Sequence, residues 1–282
     1  MIELCAFADE AASDLYGQIK ALKRNNIHYL ELRSINNKNV KDFSFDEAEE
    51  YANILKENGI RVWSIGSPIG KVDISIDIDK YIEELKHVCK LANIFETKKI
   101  RMFSFFHANE KKDLVISYLQ KMVDVAKTYS VELYHENEKD IFGDIKERVQ
   151  YIMDNVNGLK YIYDPANYLQ CNQLADETLK LFMDKTDYFH IKDVISATGE
   201  LVPAGYGDGK IEDLVSRISD DKTLTLEPHL AIFDAYASID NTEMKHKFHF
   251  TNNNEAFDFA VKSLKDILIS QGYKELGGVF IK

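Results

Sequence analysis

The chain has 282 residues, 45% of them hydrophobic, and only four prolines, enough to close a full core and with no sign of a collagen-like, mucin-like or disordered tract. Its net charge of −12 comes from 47 acidic against 35 basic side chains, with the bases scattered. That field repels duplex nucleic acid and an anionic membrane surface alike, so neither is expected as a partner. Cys5, Cys89 and Cys171 lie far apart with no C-x-x-C spacing, which indicates reduced thiols and no zinc-cysteine site.

The N-terminus carries Glu3, Asp9 and Glu10 where a signal peptide needs a basic start and an apolar run. No stretch approaches the roughly 18 apolar residues of a membrane span, and a cytoplasmic protein is expected. The first apolar run, Ile2 to Phe7, predicts a strand. It is followed by Ala8-Asp9-Glu10-Ala11 and not by the G-x-G-x-x-G that a dinucleotide-binding sheet places there. Leu15, Ile19 and Leu22 then recur at helical spacing.

A second strand is predicted at Tyr29 to Arg33. The helix after it opens at Ser44 and Asp46, before Ala48, and closes at Asn58-Gly59. A third strand follows at Arg61 to Ile65, and Tyr81, Leu85, Val88 and Cys89 give the next helix its buried stripe. Further strands are predicted at Lys99 to Phe105, Val131 to Asn137, Tyr161 to Asp164, Tyr188 to Val194 and Thr223 to Glu227. The repeating unit is about 35 residues, the length of a right-handed βαβ crossover. Eight such units fit a closed barrel or an open doubly wound sheet, and periodicity does not choose between them. The missing glycine fingerprint and the placement of polar residues favour an α/β fold of the (β/α)8 TIM-barrel type, with 1–282 as a single domain. The aromatic, His-containing stretch from about Leu230 to Asn252 is expected either to pack on the barrel as an extra helix or loop, or to serve as a lid or subunit contact.

Four metal-capable side chains fall at the C-terminal ends of four consecutive strands: Glu136, Asp164, His190 and Glu227. They are 28, 26 and 37 residues apart, about one βα unit each, so in a barrel they converge on the mouth where such folds hold their chemistry. Strand parity agrees. Thr223, Thr225 and Glu227 share one face opposite Leu224 and Leu226; Glu132, Tyr134 and Glu136 alternate with Val131 and Leu133; His190 shares its face with Lys192. Three carboxylates and one imidazole suit a single divalent cation, manganese favoured, with magnesium, cobalt or zinc also compatible. Carboxylates so crowded need a cation or a shared proton.

The segments HENEKDIFGD at 135 to 144, YDPANY at 163 to 168, HIKD at 190 to 193 and LEPH at 226 to 229 resemble the strand-end motifs of the sugar phosphate isomerase/epimerase family, whose members have a xylose-isomerase-like barrel. SIGSPIGKVDI at 64 to 74 and IRMFSFF at 100 to 106 are similar to that group as well. The resemblance implies that Glu136, Asp164, His190 and Glu227 ligate the metal, with Glu136 and Glu227 also the acid/base pair. The implied reaction abstracts a proton beside a carbonyl, passes through an enediolate and returns a proton to a sugar or sugar derivative. A lyase of the same barrel family, such as an inosose or keto-sugar dehydratase, shares the first step. A carbohydrate-binding barrel without catalysis is the non-enzymatic reading.

Lys192, His229, Asn167, Trp63 and Arg101 are the candidate substrate contacts. Each also has a plainer role: Lys192 and His229 behind the ligands, Arg101 in an ion pair with a glutamate, Trp63 in the core with Phe105. His135 has the wrong parity for the site, and Glu138 lies past the strand end. PAGYGDG at 203 to 209 sits where barrels often bind phosphate, but Asp208 favours a simple turn. Some related epimerases and endonuclease-IV-type barrels carry a His at the position of Asn167, and the latter add an Asp-x-His pair that this chain lacks; a trinuclear-zinc nuclease is therefore not expected. A small sugar is the expected partner, and a homo-oligomer is admitted.

Overall fold

The computed structural model describes residues 1–230 and 248–282. Most of the stretch from Leu230 to Asn252 therefore lies outside the described residues. Eight parallel strands form the core: β1 (Ile2–Ala6), β2 (Tyr29–Leu32), β3 (Arg61–Ile65), β4 (Lys99–Met102), β5 (Glu132–Glu136), β6 (Lys160–Tyr163), β7 (Tyr188–Ile191) and β8 (Lys222–Leu226). Each pairs with its neighbours in sequence, and β8 returns to β1 in the register Ile2↔Lys222 through Ala6↔Leu226, which closes the ring. Helices α1 (Leu15–Arg24), α2 (Phe45–Glu57), α3 (Ile78–Ile94), α4 (Lys112–Thr128) and α5 (Lys146–Asn155) follow the first five strands. Short helices Pro165–Gln170, Ala175–Phe182 and Ile211–Ser216 follow the next two, and a long helix (Asn253–Ser270) ends the helical layer.

Local chemistry sets these boundaries. The Ser44 side chain accepts from the Glu47 N–H while Glu47 reaches back to the Ser44 N–H, so α2 begins at a complete capping box. It ends at Asn58, and Gly59 follows at φ +74°, a conformation that costs glycine nothing. Leu15, Ile19 and Leu22 on α1, and Tyr81, Leu85, Val88 and Cys89 on α3, are all buried against the barrel wall.

The outward strand residues, such as Ile2, Leu4, Leu30, Leu32, Leu224 and Leu226, join the helices in one large apolar cluster. The inward residues are of a different kind. Tyr134, Ile162 and Tyr188 pack inside the barrel with Trp63 beside them, beneath a polar layer at the C-terminal mouth. This division is what lets charged groups be buried without breaking the apolar layer.

Two predicted strands run on too far. β4 stops at Met102, because Phe103 and Phe105 donate their N–H groups to Ile69 and Gly70 of the preceding loop. β7 stops at Ile191, and Asp193–Ile195 pairs instead with Glu200–Val202 in a separate hairpin. A C-terminal hairpin, Lys274–Leu276 with Val279–Ile281, was not predicted; its second strand lies antiparallel to the start of β1. Among the described residues no helix is long and apolar enough to cross a membrane.

Candidate metal centre

Each of the four candidate ligands is delivered by its own strand. Glu136 is the last residue of β5, Asp164 follows β6 and caps the short helix Pro165–Gln170, His190 is the third residue of β7, and Glu227 follows β8. Asp164 Oδ1 accepts the Asn167 N–H at 3.0 Å, which fixes the carboxylate at a helix start. One ligand atom from each of the four residues lies within 4.8 Å of the others, and all four side chains are buried. His190 Nδ1 stands 3.0 Å from Glu136 Oε1 and 3.2 Å from Glu227 Oε2, at the centre of the group.

Such a cluster of acids is tolerable only with compensating charge. Lys192 Nζ lies 3.0 Å from Asp164 Oδ2 and 3.9 Å from Glu227 Oε2. Arg101 Nη1 reaches Glu136 Oε2 at 3.4 Å and Glu227 Oε1 at 3.5 Å. Arg33, which the sequence reading passed over, donates to both oxygens of Asp9 and lies 3.1 Å from Glu227 Oε1 and 3.3 Å from Glu10 Oε1. The Phe7 ring packs against both guanidinium groups, 4.4 Å from that of Arg33 and 4.9 Å from that of Arg101.

The protonation pattern follows from burial and these charges. Burial pushes the Asp164 carboxyl up to about 7, with Lys192 opposing and Glu136 and Glu227 reinforcing. Burial acts the same way on Glu227, but Lys192, His190 and His229 outweigh it and hold that carboxyl well below the usual range. For His190, burial would lower the pKa, yet Glu136 and Glu31 carry it well above the ordinary histidine value. Its charged ring then sits among the carboxylates as a cation would. Asp164 Oδ2 and Glu227 Oε2 are buried with no hydrogen bond, held only by nearby positive charge. An acid-rich donor set with orphaned inward oxygens fits a divalent metal, for which these four residues can supply the ligands.

Of the candidate substrate contacts, Lys192, Arg101, Asn167 and His229 are all brought to the mouth. Asn167 donates to Glu136 Oε1 at 3.3 Å and to the Asn137 carbonyl at 2.9 Å, so it braces a ligand. His229 Nε2 lies 3.4 Å from Glu227 Oε1, while its N–H donates to Glu10. Trp63 is the exception and takes the core role the sequence also offered. It packs below the polar layer against Tyr29 and Tyr188, with the Lys99 ammonium 3.8 Å from its ring. A cavity of about 760 Å³ beside it, lined by Tyr29, Arg61 and Lys99 among others, opens at the N-terminal ends of β2 to β4, away from the quartet. The tryptophan stands at a bulge between β2 and β3, one layer too deep for the mouth.

His135 points outward to Ser104 Oγ at 3.0 Å, and Glu138 pairs with Lys71 at 2.9 Å, as their positions suggested. The glycine-rich run after β7 is closed by a side chain of the protein itself. Asp193 accepts the N–H groups of Gly205, Gly207 and Gly209, which fills the place a phosphate would take.

Four polar residues at the site had not been singled out: Asp9, Glu10, Glu31 and Arg33. For Glu31 and Arg33 the signal was present, since Tyr29, Glu31 and Arg33 alternate with Leu30 and Leu32 as the eighth strand does. Asp9 and Glu10 lie in a single turn of 3-10 helix after β1, where no periodicity marks them.

The fold is a closed eight-stranded barrel with a buried acidic cluster at its C-terminal mouth that could hold a metal ion. The chain belongs to the xylose isomerase-like TIM barrel family, whose model matches residues 19–243. Comparison with curated proteins finds no match. Among solved structures it is similar to the probable 3-DHS dehydratase AsbF of Bacillus anthracis, with 16% identity and a TM-score of 0.71 over 94% of this chain and 99% of that one. It is also similar to a D-allulose 3-epimerase from Methylomonas sp., with 15% identity and a TM-score of 0.71 over 96% and 98%. A xylose isomerase-like TIM barrel protein from Mycobacterium smegmatis, solved in complex with magnesium, matches with 12% identity and a TM-score of 0.65 over 94% and 97%. At these identities the likeness establishes the shared fold.

Proposed function

We propose that the protein is a divalent-metal-dependent isomerase or epimerase that moves a proton on a carbon beside a carbonyl of a sugar or sugar derivative. The observation that carries this reading is the convergence of Glu136, Asp164, His190 and Glu227 within 4.8 Å at the barrel mouth. The oxygen-rich donor set favours manganese, with magnesium, cobalt and zinc as alternatives. When bound, the metal supplies the positive charge that makes the carbon-bound proton acidic.

The protein's own residues do the rest. Glu136 and Glu227 enter from β5 and β8, three strands apart round the ring, so a substrate between them has a carboxylate on each side. Glu227, held ionised by Lys192, His190 and His229, is in the unprotonated form that a base must have. Arg101 touches both glutamates and keeps them oriented as the negative charge shifts between carboxylate and enediolate. On this reading Lys192 and His229, which flank Glu227, meet substrate hydroxyls.

The test is solvent-deuterium incorporation by manganese-loaded protein across a panel of ketoses. Incorporation is expected with at least one of them, and Glu136→Gln and Glu227→Gln should each reduce it by about 10²-fold or more. Undiminished exchange in both variants contradicts the assignment. A second reading, a dehydratase, is supported by the likeness to the dehydratase of Bacillus anthracis. It uses the same first step and then expels a β-hydroxyl, so a dehydrated product in place of a stereoisomer selects it.

A further inference from the structure

Glu31 is a fully buried carboxylate on β2, facing the ring nitrogen of His190 opposite the one that faces Glu136 and Glu227. Its Oε2 stands 3.1 Å from His190 Nε2, and its Oε1 accepts the Tyr188 hydroxyl at 2.9 Å. The Tyr188 hydroxyl also lies 3.4 Å from Ser64 Oγ. The imidazole is gripped at its edges as well: the Phe7 ring meets it at 5.2 Å and 83°, and the Tyr188 ring at 5.6 Å and 61°.

A histidine can bind a metal only through a ring nitrogen that carries no proton, and a neutral imidazole places its single proton on either nitrogen. An ionised carboxylate is an acceptor only. Facing Nε2 at 3.1 Å, it holds a proton there, so that when Nδ1 yields its own proton to a metal the neutral ring keeps its hydrogen on Nε2. Nδ1 is the atom that lies within 3.2 Å of both Glu136 and Glu227.

We propose that Glu31 is a positioning residue that fixes the His190 tautomer, with hydrogen on Nε2, and so presents Nδ1 to the metal. The inference rests on the reading of the quartet as a metal site. It assigns to β2, which contributes no ligand, a direct share in metal affinity. Tyr188 and Ser64 extend the hold by fixing the carboxylate in turn, as outer hydrogen bonds to metal ligands do elsewhere.

The experiment compares the full chain with Glu31→Gln and Glu31→Leu. Zinc affinity is measured by calorimetry, and the histidine ring nitrogens of zinc-loaded protein are observed by ¹⁵N NMR, with the His190 signals assigned through their loss in His190→Asn. Wild type is expected to bind one zinc and to show a His190 Nε2–H protected from solvent exchange. Glu31→Leu should lose about 10- to 100-fold in zinc affinity along with that protected proton. Glu31→Gln, which keeps the shape and is the safer variant for folding, should fall between the two.

Wild-type affinity and an unchanged Nε2–H in both variants overturn the proposal and leave the metal site standing. A lower melting temperature with unchanged affinity also overturns it, because it shows Glu31 to be structural alone. A wild type that binds no zinc and no manganese overturns the reading of the quartet, and this inference with it.

Discussion

Arg33 is the most heavily used cation at the barrel mouth, and replacing it isolates how the buried acids are neutralised. Its side chain is 1% exposed and meets Asp9, Glu10 and Glu227, which are 3 to 4% exposed. Arg33→Met keeps the bulk against Phe7 and takes the guanidinium from buried Asp9 and Glu10, while Glu227 keeps Arg101 and Lys192. Breaking a buried pair by removing one partner costs about 3 to 5 kcal/mol, a large part of the stability of an ordinary domain. At about 2.1 cal/mol/K of unfolding entropy per residue over 282 residues, that cost is roughly 5 to 8 °C in melting temperature. The loss should also depend on pH, in a definite direction. Burial pushes the Glu10 carboxyl up to about 8, with Arg33 opposing and Glu227 and Asp9 reinforcing. A folded-state pKa above the unfolded value near 4.5 means that stability is fully present at low pH and declines as pH rises toward 8. Without Arg33 the carboxyl rises further, so the decline continues to higher pH. Urea unfolding of chelator-treated protein at pH 5, 6.5 and 8 should show the largest deficit at pH 8. A deficit below about 1 kcal/mol at every pH would refute the charge accounting, since it would mean these acids need no such partner.

Ser44→Ala removes half of the capping box of α2 and is expected to cost about 1 kcal/mol in urea unfolding, with metal affinity unchanged. Burial pushes His135 down to about 3, so the folded protein holds it neutral where the unfolded chain would charge it. That contribution to stability is present above pH 6.5 and is lost as pH falls, by about 2 kcal/mol between pH 6.5 and 5, and His135→Gln should flatten this part of the pH profile. Trp63→Phe should leave deuterium exchange within about twofold of wild type, because the ring packs beneath the mouth; a drop of about 10-fold in exchange would return Trp63 to the site.

How much of this was legible in the sequence depends on the kind of signal. The eight strands and the quartet were read from alternation and spacing, because a barrel strand must send one face to the helices and the other to the interior, and Leu224 and Leu226 against Thr225 and Glu227 leave no choice. Where a run of apolar residues serves a loop, the same rule misleads. Phe103 and Phe105 extend the pattern of β4 although their backbone bonds to Ile69 and Gly70. For Trp63 the core role was the plainer of the two readings, and parity could not choose between them because it gives the face of a strand and not the depth along it, which a bulge shifts further. Arg33 and Glu31 share a face with Tyr29, yet the charge pairs that make them matter join residues 23 to 194 positions apart, which no local pattern records.

The central claim is that one divalent metal is held by Glu136, Asp164, His190 and Glu227. Anomalous diffraction from crystals soaked in manganese tests it most directly. A single ion within about 2.0 to 2.6 Å of one atom from each of the four side chains is the result expected. It should vanish in Asp164→Asn combined with Glu227→Gln. Full manganese loading with no density at that point, or with the ion held by other residues, would contradict the account.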